Sequence, residues 1–302
     1  MRVFIAGMFS SNTDLHSRLF LEVMNPQEQA DRLSLTNLLE SYHYVEDEVY
    51  VKRIRADGTP VFMDSGAFSA FTLGKVIDLD AYCRYLHENA DIVEVASVLD
   101  GIGDPLKTYQ NQVLMERAGT KPLPCFHYGE DERYLEHYIA NYEFITLGGM
   151  VPNTSMENQR WLDRMWSKYL CKPDGSAKIR VHGFGMTSTR LMKRYPWYSV
   201  DSSSWVQIGF RGGIFLPDLG NIFVSAQSPT RKLDGGRHFN TLSPPMQQAV
   251  RDRVEARGYT IERLATIYIS RWIFNAKTFA LMGDAIKDGG GVRFQLAQDS
   301  LF

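Results

Sequence analysis

The stretch LPCFHYGEDERYLEHYIANYEFITLGGM (residues 123–150) decides the fold. Its ends, LPCFHYG (123–129) and FITLGGM (144–150), are short apolar runs closed by turn residues. Between them DERYLEHYIANY (131–142) repeats its apolar residues at helical spacing. A strand, an amphipathic helix and a second strand in so little chain form a βα unit of a parallel sheet. Working outward, the same kind of run recurs as VFIAGM (3–8), VFMDSG (61–66), VEVASVLD (93–100), KIRVHGFG (178–185), YSVDSSSW (198–205) and NIFVSAQ (221–227). Most are continuous rather than alternating, as strands buried on both faces are. LDAYCRYLHENA (79–90) is a further amphipathic spacer. Eight such strands in 302 residues predict an α/β fold, a (β/α)8 TIM-type barrel, with a doubly wound sheet as the alternative.

The barrel is expected to occupy residues 1–227, with a long insertion after the first strand in which SLTNLLESYHYV (34–45) reads as a helix. Residues 228–302 read as a loop and helices forming a C-terminal appendage of the same domain, and GGGVRFQLAQDSLF (289–302) as a loose end. No stretch approaches the roughly 18 apolar residues of a membrane span. The N-terminal apolar run is too short for the core of a signal peptide. Cys83, Cys125 and Cys171 are widely spaced, which argues against a disulfide framework and against a Cys-based zinc site. A cytoplasmic protein is the simplest expectation.

Net charge is −2, but it is unevenly divided. Residues 1–150 carry 12 Lys+Arg against 23 Asp+Glu (−11), and residues 151–302 carry 21 against 12 (+9). Within 160–194 nine basic residues face two acidic ones. Such a half is either the footprint of a polyanion or a solvated face that balances the acidic half.

Barrels place their chemistry at the C-terminal ends of the strands. There the sequence sets Asp64-Ser65-Gly66, Asp100-Gly101, His127-Tyr128-Gly129, Gly148-Gly149, His182-Gly183-Phe184-Gly185 and Asp201. One Asp after a strand is usually a turn former or a helix cap. Three on one rim are costly unless they serve a reaction. Phe68, His127 and His182 have a plain alternative reading as core side chains. No glycine-rich phosphate motif follows a strand; Arg211, in Arg211-Gly212-Gly213, is a weaker phosphate candidate.

These motifs resemble, in order, those of the tRNA-guanine transglycosylases. Asp64-Ser65-Gly66-Ala67-Phe68 is similar to that family's Asp-Ser-Gly-Gly-Phe segment, and Val98-Leu99-Asp100 to its base-binding aspartate strand. Leu147-Gly148-Gly149-Met150 resembles its Gly-Gly strand, and Val181-His182-Gly183-Phe184-Gly185 its Met-Gly-Val-Gly strand. Ser199-Val200-Asp201-Ser202 resembles the strand bearing the nucleophilic aspartate. The similarity runs over residues 60–205, and Phe274-Asn275 to Met282 resembles the helix after that family's zinc site. The departures are the missing zinc cluster and subdomain, Phe274 in place of the zinc histidine, Tyr128 in place of a base-binding glutamine, and His182 in place of a base-stacking methionine. The pattern is more similar to the deazapurine-in-DNA proteins of bacteria and phages, which exchange guanine in DNA for a 7-deazaguanine base.

The resemblance implies a base exchange on DNA, with tRNA the less favoured polymer and a 7-deazaguanine such as preQ0 as the incoming base. It assigns the nucleophile to Asp201 and the proton-transferring carboxyl group to Asp64. Asp100, Ser65, Tyr128, Gly148 and Gly149 would bind the base edge, and Phe68 and His182 would sandwich its ring. No metal or redox cofactor is called for. Arg190, Lys193, Arg194, Arg211, Arg231 and Lys232 are candidates for the nucleic-acid backbone. A hydrolytic N-glycosidase or nucleoside hydrolase on the same barrel, and a non-enzymatic nucleic-acid-binding barrel, are the competing readings.

Overall fold

A computed structural model describes residues 1–10, 18–151, 153–186, 188–228, 236–288 and 291–295. The chain divides into two compact units, Met1–Ser11 with Asn37–Ser202 and Gly283–Phe302, and Asn12–Thr36 with Ser203–Met282. One division falls after Ser202. Among the described residues no helix is long and apolar enough to cross a membrane.

The first unit is built on eight parallel strands, β1 (Arg2–Ala6), β2 (Leu38–Ser41), β3 (Val61–Asp64), β4 (Val93–Ala96), β5 (Cys125–His127), β6 (Phe144–Gly148), β7 (Arg180–Gly183) and β8 (Ser199–Ser202). They lie in the order β4-β3-β2-β1-β8-β7-β6-β5, the cyclic order of a TIM-like barrel. The two end strands share no ladder. They meet beyond β4 at the single parallel bridge Ser97–Leu123, where Leu123 N–H donates to Ala96 O (2.8 Å) and Val98 N–H to Leu123 O (3.0 Å). Helices Glu48–Asp57, Leu79–Glu88, Pro105–Arg117, Glu132–Asn141 and Ser155–Met165 alternate with β2 to β7. Phe4, Leu39, Phe62 and Leu123 fill the inside of the sheet, with Val95, Phe144 and Phe184 against them.

Two strand assignments differ from the sequence reading. LLES, within the expected helix 34–45, is β2, followed by a single helical turn, Tyr42–Val45. Leu35, Leu38, Leu39, Tyr42 and Val45 do recur at helical spacing, and all are buried. The strand wins because β1 and β3 flank it and supply backbone partners on both edges, a tertiary context that local periodicity does not carry. NIFVSAQ, expected as the eighth barrel strand, supplies β10 (Gly220–Phe223), antiparallel to β9 (Gly213–Leu216) in the second unit. The Leu-Pro-Asp-Leu-Gly turn between them makes a hairpin, which needs far less chain than a parallel crossover. The count of eight therefore survives with one member exchanged. The expected loose end is tied down in part: Phe294 is buried, its N–H donates to Gly175 O (2.9 Å), and its ring lies 5.1 Å from that of Tyr195.

The second unit packs Ile214, Leu216 and Ile222 of its hairpin against Val250, Val254, Leu264 and Phe274 of its helices. Phe274, where the resemblance sets a zinc histidine, is plain core against Tyr259. Fully buried Glu28 is held by Arg263 (2.6 Å) and Ser270 (2.5 Å), so its charge is compensated where it lies.

Candidate active site

Asp64 is the last residue of β3, and the chain turns sharply after it. Gly66 has φ +77° and donates its N–H to Asp64 Oδ2 (3.1 Å). A Cβ on Gly66 would lie 2.3 Å from Ser41 Oγ and 2.6 Å from His43 Cβ, at the end of β2. Gly66→Ala is therefore expected to cost about 2–4 kcal/mol of stability, read by urea unfolding, from left-handed strain and overlap together. A cost below about 0.5 kcal/mol, the level of an ordinary surface change, would contradict this packing.

The Ser97 hydroxyl, beside the seam, donates to Asp64 Oδ1 (3.3 Å) and accepts the Ser65 N–H (3.0 Å). Burial pushes the Asp64 carboxyl up to about 7, and the negative charges of Asp100 and Asp201 push the same way. The Gly66 and Ser97 donors only partly offset them. Carboxyl groups from β8 and from the segment after β4 thus act on the one that ends β3, at the C-terminal ends of the strands.

Asp201 sits on β8 in register with Phe4 of β1. Its Oδ1 accepts the Gly185 N–H (2.8 Å) and lies 3.4 Å from His182 Nε2, a contact without hydrogen-bond alignment. Oδ2 makes neither contact. His182 is wholly buried: Nδ1 pairs with Ser199 Oγ (2.9 Å), and its ring packs among Phe4, Phe62 and Phe184 at 5.8, 4.6 and 4.7 Å. Burial pushes its pKa down, which keeps it neutral. This corrects its expected role. A ring with no exposed face cannot stack on a base, and His182 supports Asp201 from beneath.

Asp100 follows β4, and its Oδ2 lies 3.3 Å from His127 Nε2. Its Oδ1 is buried with no hydrogen-bond partner. His127 ends β5. Its Nδ1 meets Glu130 Oε1 at 2.9 Å, and its backbone N–H donates to Glu130 Oε2 at 2.9 Å. Cys125, two residues earlier on the same face of β5, places Sγ 3.4 Å from His127 Nε2. Burial works against a charge on His127, but Cys125 and Asp100 outweigh it and raise its pKa. A Cβ on Gly148 would lie 2.9 Å from His127 Cδ2 and 3.1 Å from Cys125 Sγ, so the glycine leaves these side chains their space. Sequence reasoning missed Glu130, Cys125 and Ser97. The Cys-x-His-x-x-Glu spacing was the available signal for the first two, since alternate strand residues share a face.

Of the other expected residues, Ser65 is buried beside Asp64, whereas Phe68 and Tyr128 are 54 % and 38 % exposed. Gly149, φ +70°, backs directly onto Tyr128. The basic segment is largely committed internally. Arg164 and Lys168 pair with Glu132, and Arg180 with Glu143. Arg194, expected to hold phosphate, pairs with Asp163 at 2.7 Å, and Arg190 donates to Gln159 and Ser155. For these residues the solvated-face reading fits better. Lys193 is exposed, with no acidic partner among the described residues, and Arg211 is exposed at the end of helix Ser204–Phe210. Arg231 and Lys232 lie outside the described residues.

The arrangement sets a carboxyl group that burial raises towards neutrality at the same end of the sheet as a second carboxyl group, Asp201, with one oxygen anchored by the Gly185 N–H. Such a pair divides acid–base and nucleophilic duties between two like residues. Compared with known proteins, the chain matches no family model and no curated protein.

Proposed function

We propose that this protein is a base-exchange transglycosylase that replaces guanine in nucleic acid, DNA in preference to tRNA, by a 7-deazaguanine base on a (β/α)8 barrel. What supports the reading is the placement of Asp64, Asp100 and Asp201 at the C-terminal ends of parallel strands, with the Asp64 carboxyl group pushed up to about 7 by burial and by the other two. Asp201 Oδ2 attacks C1′ of the nucleotide as the bond to the purine breaks. The bond's electron pair leaves with guanine, which takes the Asp64 proton. The deazaguanine then gives its ring proton to Asp64, and its nitrogen displaces Asp201 from C1′. Two inversions preserve the sugar configuration, and Asp64 ends protonated as it began. Asp100, half-buried after β4 at the same end of the sheet, carries a carboxyl group suited to the N–H edge of guanine. Exposed Phe68 and Tyr128 offer stacking surfaces for a base taken out of its duplex.

The test offers purified protein DNA and unmodified tRNA with a labelled 7-deazaguanine such as preQ0. Label is expected in DNA. Label in tRNA at an equal or greater rate removes the DNA preference and leaves the exchange standing. Guanine release without incorporation indicates hydrolysis, and no reaction on either polymer leaves a binding protein.

A further inference from the structure

Asp100, Cys125 and His127 offer an oxygen, a sulfur and a nitrogen whose atoms all lie within 4.8 Å of one another. We propose that these three side chains bind one divalent transition-metal ion of the zinc type, with a fourth position left for water or a ligand.

Both separations from the histidine nitrogen suit a coordination tetrahedron. Zinc bonds of about 2.0–2.1 Å to N and O and about 2.3 Å to S place neighbouring ligand atoms roughly 3.3–3.6 Å apart. The observed separations are 3.3 Å from Nε2 to Oδ2 and 3.4 Å from Nε2 to Sγ. The histidine is also prepared for the task. Glu130 Oε1 at Nδ1 holds a proton on that nitrogen, which leaves Nε2, facing Asp100 and Cys125, as the nitrogen that exchanges its proton for a metal ion. Glu130 is itself fixed by the His127 backbone N–H.

One thiol or imidazolium proton serves a single contact among three acceptors, and a metal ion serves all three. Among the described residues, neither Asp100 nor Glu130 pairs with a Lys or Arg. Mixed S, N and O donors select zinc or cobalt over magnesium or calcium. Three protein ligands leave a position open, as in catalytic rather than structural zinc sites.

The inference does not depend on base exchange. It rests on Asp100, Cys125 and His127 alone and uses neither Asp64 nor Asp201. The test is titration of metal-free full-length protein with Co²⁺, followed by its absorption spectrum. One equivalent is expected to bind, with a thiolate-to-cobalt charge-transfer band. Cys125→Ser should abolish that band, while Cys83→Ser and Cys171→Ser keep it. Glu130→Gln, with unchanged circular dichroism, should weaken binding by about 10–100-fold. No bound Co²⁺ or Zn²⁺ at one equivalent in equilibrium dialysis, or a thiolate band that survives in Cys125→Ser, overturns the proposal. Neither result bears on label incorporation, so the two readings fail separately.

Discussion

Asp201→Asn is expected to lower base exchange by at least about a thousandfold, since an amide cannot form the glycosyl ester and the covalent step is lost outright. The substitution keeps the size of the side chain. The amide oxygen can still accept the Gly185 N–H that now holds Oδ1 at 2.8 Å, so nucleic-acid binding should stay within a few fold of wild type. Wild-type protein quenched during turnover should carry a covalent link to nucleic acid, and the variant none. A variant with near wild-type turnover would remove Asp201 from the role of nucleophile, whatever polymer is used.

Asp64→Asn should have two separable effects. Exchange is expected to fall by about 10²–10⁴-fold, the usual worth of a positioned acid–base group. In wild type, kcat/KM should decline above about pH 7, as the carboxyl group loses the proton it must give to guanine. The second effect is on stability. The folded state holds the Asp64 proton up to about pH 7, whereas an ordinary Asp carboxyl group in the unfolded chain loses it near 3.8, so wild-type stability falls as pH rises through that window. The loss is bounded at about 1.4 kcal/mol per pH unit, or about 4 kcal/mol in all. Asn does not titrate and escapes it. Relative to wild type, Asp64→Asn should therefore gain on the order of 2–4 kcal/mol between pH 4 and pH 8 in chemical denaturation. An equal stability difference at both pH values would mean that Asp64 is not held protonated by burial and its acidic neighbours.

The two results distinguish the carboxyl groups. Asp201→Asn should lose activity at every pH together with the covalent link, whereas Asp64→Asn should change both the pH profile of exchange and the pH dependence of stability. A purely structural acidic cluster would change stability in both variants and would have no exchange to lose.

Much of the site was legible because it is local. Asp64, Asp100 and Asp201 each follow or end an apolar run, and a strand's C-terminal end is where a parallel sheet exposes side chains to a ligand. Gly66 was legible as a turn, but the contact that demands it, with Ser41 and His43, lies on a strand that periodicity read as helix. His182 was legible as a residue near the site and illegible in depth. Its depth depends on Phe4 of β1, Phe62 of β3 and Phe184 just after β7. The basic run 160–194 was legible as charge, yet its partners Glu132 and Glu143 come from outside the segment.

By itself the sequence determined the alternation of strands and helices, the parallel sense of the sheet and the acidic character of its C-terminal end. Each of these is written in residues a few positions apart, through strand continuity, helical spacing and turn chemistry. Tertiary structure alone decided that LLES is a strand and NIFVSAQ a hairpin arm, that His182 lies under Asp201, and that Asp100 meets Cys125 and His127. These outcomes depend on which backbone edges find partners and which side chains share one interior, and both are settled by contacts between residues tens to hundreds of positions apart in the chain.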